Sequence, residues 1–147
     1  MNRLPCFTHQ QVERISRIVG NTEAGLSGQE IGALLAQLGF PDEGPETTKW
    51  KRLFNSLASL QNKHHVGNHT VMLINAFMAP ESYIPNPVTC KQLQIQLNQV
   101  FAFAGYYVRD DGRVAKASKA TTLEEAFTRA DRMGAQLRAR GVHPKVL

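Results

Sequence analysis

The sequence predicts a mainly α-helical fold, a compact bundle of about six helices with one β-hairpin. Apolar residues recur at helical spacing along most of the 147 residues, and Ser or Thr followed three positions later by Gln or Glu marks several helix starts. One segment, residues 106–115, combines β-type residues with an Asp-Gly pair. The length and the 42% hydrophobic content suffice for a core, so we expect a single domain over residues 1–147.

Two capping boxes predict the first two helices. Thr8 and Gln11 open the first helix, and Ser27 and Glu30 open the second, which Gly39 ends. The residues expected to face inward are Val12, Ile15, Val19, Ile31, Leu34, Leu35 and Leu38.

The third helix has the most informative pattern in the chain. Thr47 or Thr48 caps it, and it runs to about residue 62. Its apolar side comprises Trp50, Leu53, Phe54, Leu57 and Leu60. Its opposite side comprises Lys51, Arg52, Asn55, Ser56, Ser59, Asn62 and Lys63. A helix that is apolar behind and basic in front suits a phosphate-facing surface, and an ordinary solvated face is the alternative interpretation.

A fourth helix, over residues 69–78, is apolar on most sides and is expected at the centre of the domain. Prolines 80, 85 and 87 then predict an extended connection in which Tyr83 and Ile84 pack inward. Thr89 opens the fifth helix, which carries Ile95 and Phe103 on a second apolar side.

The hairpin follows the fifth helix, with Asp111 and Gly112 predicted in a type I′ turn. Capping boxes at Thr121 and Thr122 open a last helix that is expected to end near Arg140.

The net charge of +5 is concentrated in the middle of the chain. Residues 49–119 hold nine basic and three acidic residues, whereas residues 1–48 hold three basic and six acidic ones. Because a positive field attracts polyanions, we predict a non-catalytic module that recognises DNA or RNA. Phosphate contacts are expected from Lys49, Lys51, Arg52, Lys63, Arg109, Arg113 and Lys116, with Asn55, Asn62 and His65 as polar contacts to the bases.

The basic helix and the basic-tipped hairpin are the parts from which a winged-helix protein builds its DNA-binding surface. Their order here differs from that fold, because a buried helix and a long helix separate them. A structural hairpin that covers one end of the bundle is the alternative interpretation.

Motifs for chemistry are weak. His64, His65 and His69 favour a polar turn over a metal site, because no cysteine lies nearby in sequence. Cys90 is expected to be a small buried side chain, although a lowered thiol pKa at a helix N-terminus is the alternative. We predict no catalytic residue, no metal and no cofactor; a catalytic set assembled from residues distant in sequence is the enzymatic alternative. No apolar run approaches the ~18 residues of a membrane span, so we expect a cytoplasmic protein without a membrane partner.

Four stretches carry a resemblance to a bacterial family: LSGQEIGALL (residues 26–35), TKWKRL (48–53), QNKHHVGNH (61–69) and GYYVRDDGRV (105–114). Together they resemble the N-terminal domain of the Ymh-type conserved hypothetical proteins, which are associated with abortive infection and phage defence. The resemblance covers nearly the whole chain.

The resemblance also implies a partner. In longer members this domain is followed by a helical domain similar to HEPN ribonucleases, and this chain stops about where that domain would begin. Arg138 and His143 have the spacing of the HEPN Arg–His motif, but Gly141 and Pro144 interrupt it, so no ribonuclease activity is carried over. The second hypothesis is therefore a protein-interaction or sensor module that regulates or dimerises a HEPN-type effector, with the second apolar side of the fifth helix as its contact.

Overall fold

The computed structural model describes residues 2–137, with side chains through residue 131, and confirms the predicted fold class. In this range a single two-stranded antiparallel hairpin accompanies six α-helices. The helices are α1 (His9–Val19), α2 (Gly28–Leu38), α3 (Lys49–His64), α4 (Asn68–Phe77), α5 (Pro87–Ala104) and α6 (Leu123–Leu137), and the strands are β1 (Tyr106–Val108) and β2 (Val114–Lys116). The chain divides into two compact units, Met1–Phe77 and Met78–Leu147, and the single domain remains a prediction.

Both predicted capping boxes at the first two helices are confirmed. The Gln11 N–H donates to Thr8 Oγ1 over 3.1 Å, and Thr8 N–H donates back to Gln11 Oε1 over 2.9 Å. At the second helix, Ser27 N–H donates to Glu30 Oε1 over 2.8 Å, and Glu30 N–H donates to Ser27 Oγ over 3.1 Å. Each cap satisfies N–H groups that a helix start leaves unpaired, and is worth about 1 kcal/mol.

The first unit has its core where the apolar faces of four helices meet. α1 packs on α3, and both α2 and α3 pack on α4. The apolar residues of this unit with no exposed surface are Ile15, Val19, Ile31, Leu35, Leu53, Leu57, Leu73 and Ile74. Full burial of one such side chain contributes roughly 1.5–3 kcal/mol, so the packed stripes rather than helix propensity hold this unit together.

An N-terminal strap, residues 2–7, closes one end of the first unit. Gln61 at the end of α3 exchanges two hydrogen bonds with the backbone of Phe7, at 2.8 and 3.0 Å. The Asn68 amide accepts from Leu4 N–H and donates to the Asn2 carbonyl oxygen, both at 2.8 Å. Gly67 packs so closely that a Cβ there would collide with the Pro5 carbonyl oxygen. Side-chain amides thus hold an irregular segment in a fixed path.

Two predictions about residues 80–92 were wrong. The connection contains a 3₁₀ helix, Pro80–Tyr83, and Ile84 is 77% exposed instead of packing inward. α5 begins at Pro87 rather than after Thr89, because the Asn86 side chain caps it and Pro87 fits the first helical position.

In the second unit, α5 holds the hairpin through two buried amides. The Val108 N–H donates to Asn98 Oδ1 over 2.6 Å, and Gln94 Nε2 donates to the Val108 carbonyl oxygen over 3.0 Å. The strands pair with Tyr107 opposite Ala115. The predicted type I′ turn was wrong: only Gly112 in this turn has a positive φ, at 84°, so the loop is a three-residue turn with a bulge glycine.

α6 packs along α5 and begins as predicted, with Glu125 N–H donating to Thr122 Oγ1 over 3.1 Å. Its predicted end near Arg140, and the Arg138–His143 pair, lie outside the described residues. Within residues 2–137, every helix is too short or too polar to cross a membrane.

Candidate nucleic-acid interface

The outer face of α3 presents fewer cations than its sequence pattern predicted. Lys51, Asn62, Lys63 and His65 are exposed. Three other members of the predicted set bond within the protein instead, namely Lys49, Arg52 and Asn55.

Arg52 is buried, and its predicted position on the exposed basic face was wrong. Its Nε and Nη2 donate to the two carboxylate oxygens of Asp42 over 3.0 and 2.8 Å, and its Nη1 donates to the Gly28 carbonyl oxygen over 2.9 Å. The Arg52 guanidinium lowers the pKa of Asp42, and the Asp42 carboxylate raises the pKa of Arg52. Arg52 therefore ties α3 to α2 and to the loop between them.

A sequence signal for this burial exists in α2. Gly28 and Gly32 lie four residues apart, on one face of the helix, and a Cβ at Gly32 would be 3.2 Å from Arg52 Nη2. The missing Cβ at Gly32 leaves room for the guanidinium to reach the Gly28 carbonyl oxygen at the start of α2. A glycine inside a helix indicates such a close approach.

Lys49 and Asn55 are half-buried and also engaged. Lys49 Nζ donates to the carbonyl oxygens of Leu26 and Asn21 over 2.9 and 3.3 Å, and so fastens the loop between α1 and α2. Asn55 Nδ2 donates to Glu43 Oε1 over 2.8 Å. A phosphate or base contact by either side chain would have to replace these bonds, and both contacts remain predictions.

The structure brings cations from α1 to the exposed part of α3. The Arg17 guanidinium carbon lies 3.9 Å from the centroid of the Trp50 ring, and Lys51 Nζ lies 5.8 Å from it. Glu13 accepts from Arg17 Nε over 3.0 Å, which fixes the guanidinium over the ring. Arg14, three residues before Arg17, is exposed on the same side of α1. We call Arg14, Arg17, Trp50 and Lys51 the seam surface.

Two further rings extend the seam surface, Phe54 on α3 and His9 at the start of α1. Phe54 packs edge-on against Trp50 with centroids 6.3 Å apart, and His9 packs edge-on against Phe54 with centroids 4.8 Å apart. All three rings are at least partly exposed. Cations beside exposed rings are the combination with which proteins bind single-stranded nucleic acid. Sequence reasoning missed the α1 residues because they lie more than 30 positions before Trp50.

The hairpin carries a balanced charge at its tip. Arg109 Nη2 lies 2.8 Å from Asp111 Oδ2, and the other oxygen of Asp111 accepts from the Arg113 backbone N–H. The Arg113 and Lys116 side chains are exposed, so they remain open to a partner. The hairpin belongs to the second unit and α3 to the first, and a surface formed jointly by both stays a prediction.

The three histidines occupy different places around the turn between α3 and α4. His65 ends α3 in the left-handed conformation, with φ at 60°. The rings of His64 and His69 lie 5.0 Å apart, and burial, with a smaller effect of His64, lowers the pKa of His69. Among the described residues, no group of three His, Cys, Asp or Glu side chains is arranged to hold a metal ion.

Cys90 is half-buried near the start of α5, where burial raises the pKa of its thiol. A raised thiol pKa disfavours the reactive thiolate, which fits the small inert side chain expected from the sequence.

No protein-family model, curated protein or solved structure matches this chain. Over residues 2–137 the fold is mainly α-helical with one β-hairpin, and its most distinctive surface feature is the seam surface.

Proposed function

We propose that this protein is a non-catalytic module that binds nucleic acid, with the seam surface of the first unit as its principal contact. The observation that carries this proposal is the Arg17 guanidinium held over Trp50 beside Lys51. A role in phage defence, from the resemblance to the Ymh-type family, is part of the same proposal.

The geometry supports phosphate contact by Arg17. Its Nε is bonded to Glu13 and one face of its guanidinium lies on Trp50, while 48% of the side chain is exposed. The planar group is held in one orientation, so little side-chain entropy is lost when its terminal nitrogens bind a phosphate. The seam surface has a net positive charge, because its three cations, Arg14, Arg17 and Lys51, outnumber the neighbouring carboxylate of Glu13.

The test is fluorescence anisotropy of labelled single- and double-stranded DNA and RNA, titrated over a range of salt concentrations. The double variant Arg17→Ala/Lys51→Ala removes two seam cations, and Lys91→Ala on α5 is the matched control. If both cations contact phosphate, the slope of log K against log salt for duplex DNA falls by about 2 in the double variant. The control keeps the wild-type slope.

A second pair, Arg113→Ala/Lys116→Ala, measures the hairpin contribution separately. An equal loss per cation removed, that is a loss in Lys91→Ala half as large as in the double seam variant, would show attraction by net charge alone. Absence of binding to every strand at low salt, with the protein folded, would contradict the proposal.

A second candidate function is a protein-interaction module. Phe103 packs against Ala102, Ala120 and Ala126, so part of the predicted second apolar side of α5 is covered within the unit. α6 offers another apolar surface, because Leu123 and Phe127 are 66% and 47% exposed and lie one turn apart.

The partner in that case is a second copy of the chain or a HEPN-like effector domain. Sedimentation of the wild type and of Leu123→Asp/Phe127→Asp over a range of concentrations tests the first. A mass that rises with concentration only in the wild type would support dimerisation, and a monomer in both would exclude it.

A further inference from the structure

A cleft of about 330 Å³ lies beside the turn between α3 and α4, outside the seam surface. Its lining comes from the N-terminal strap, the end of α3, the turn after it and the first two turns of α4: Arg3, His64, Val66, Asn68, His69 and Met72. At ~30 Å³ per water molecule, this space holds roughly ten waters, which is ample for a phosphate group.

The ionisable side chains that line this cleft are one arginine and two histidines. Arg3, His64 and His69 contribute cationic or hydrogen-bond-donating groups, and among the described residues that line the cleft none is acidic. The first turn of α4 adds the partial positive charge of a helix start. The lining therefore favours an anion over a cation.

His69 is an unusual residue for a purely structural place. Its Nδ1 is buried without a hydrogen-bond partner, and its ring packs edge-on against Phe40 at 5.5 Å. Because an unpartnered buried polar atom is costly, an apolar side chain would fill this place against Phe40 more favourably. Because His69 lines the cleft, a role for its imidazole in binding a ligand there would explain why this residue is not apolar.

The cleft is formed before any ligand binds. The residues on either side of Arg3 are fixed, because the Asn68 amide bonds to the Asn2 carbonyl oxygen and to the Leu4 N–H. The His64 ring lies 5.0 Å from the His69 ring, so both rings border the cleft together. Pre-organised groups bind a ligand with a smaller loss of entropy.

We propose that this cleft binds a phosphate monoester, with Arg3, His64 and His69 contacting its oxygens. This inference rests in part on the proposed function, since the terminal phosphate of a nucleic-acid strand is one source of that group. A small free phosphate monoester is the other source, and its chemistry is the same.

The first test is NMR titration of the full chain with sodium phosphate, following the backbone amides of residues 64–72 and the histidine rings. We expect saturable shifts there, and about tenfold weaker binding in each of Arg3→Gln and His64→Gln. Both residues are exposed, so these variants are expected to fold. Lys119→Gln is the matched control, because it removes an exposed cation that does not line the cleft and for which no phosphate contact is predicted.

Shifts that do not saturate, or binding that weakens equally in Lys119→Gln, would indicate nonspecific attraction and overturn the proposal. Equal binding of chloride would do the same.

The second test compares one oligonucleotide with and without a terminal phosphate, and adenosine monophosphate as a small monoester. A preference of about tenfold for the phosphorylated strand, lost in His64→Gln, would identify the strand end as the ligand. Saturable binding of adenosine monophosphate without binding of either strand would refute the nucleic-acid function and leave the phosphate site standing. Binding of both strands through the seam surface with no response at residues 64–72 would refute only the site.

Discussion

Replacing Arg52 by Met separates a structural guanidinium from a phosphate contact. Met keeps the unbranched stem and removes three hydrogen bonds, two to Asp42 and one to the Gly28 carbonyl oxygen. Hydrogen bonds to charged groups are worth ~1.5–3 kcal/mol each, but the Asp42 side chain is 28% exposed and regains water. Met is uncharged, so the variant also no longer bears the cost of burying the Arg52 guanidinium. We therefore expect the free energy of unfolding to fall by about 2–3 kcal/mol.

The assay is urea unfolding followed by the fluorescence of Trp50, the single tryptophan, which lies in the same unit as Arg52. With an m-value of about 2 kcal/mol/M, the midpoint should fall by roughly 1 M. Lys51→Met is the control, since Lys51 is exposed beside Arg52 and should change stability by less than about 0.5 kcal/mol. A midpoint for Arg52→Met within the control's range, at equal m, would refute the structural role of the guanidinium.

Three further predictions follow from contacts within each unit. Because the Asp42 pKa is lowered in the folded state, its ion pair stabilises the protein above about pH 4 and is lost as pH falls through the lowered value. The stability difference between the wild type and Asp42→Asn, measured by urea unfolding, should therefore shrink from neutral pH to about pH 3; a constant difference would contradict this. Gly67→Ala should lower the free energy of unfolding by about 1–3 kcal/mol and speed hydrogen exchange of the Leu4 amide, because the new Cβ displaces the strap. An unchanged exchange rate would show that the strap is not held there. Asn98→Leu should lower the free energy of unfolding by about 1–3 kcal/mol, because the Val108 N–H loses its acceptor. An unchanged midpoint of thermal unfolding would exclude a stabilising role for this hydrogen bond.

The sequence predicted those parts of the fold that depend on neighbours along the chain. Thr8 and Ser27 cap their helices because each partner lies three residues ahead, within the same turn. α5 shows how a local pattern misleads, since Thr89 and Gln92 have the spacing of a capping box. The stronger signal, an Asn-Pro pair at 86–87, precedes them.

The candidate site depended on residues that only the tertiary fold brings together. The charge pattern of α3 could not show that Asp42 and Gly28 would take up Arg52, since both lie on other segments. Nor could it show that Arg17 of α1 would lie over Trp50. Helical periodicity gives the side on which a residue lies, and not what the neighbouring helix places there.

The amides of Gln94 and Asn98 also bear on self-association through strands. In the hairpin, Val108 directs its N–H and carbonyl groups away from β2, and a bare strand edge of this kind is a template for pairing with another chain. α5 occupies both groups with side chains, in the place where a third strand would lie. A hairpin of only two strands is thereby closed at β1 to the intermolecular sheet growth that leads to aggregates.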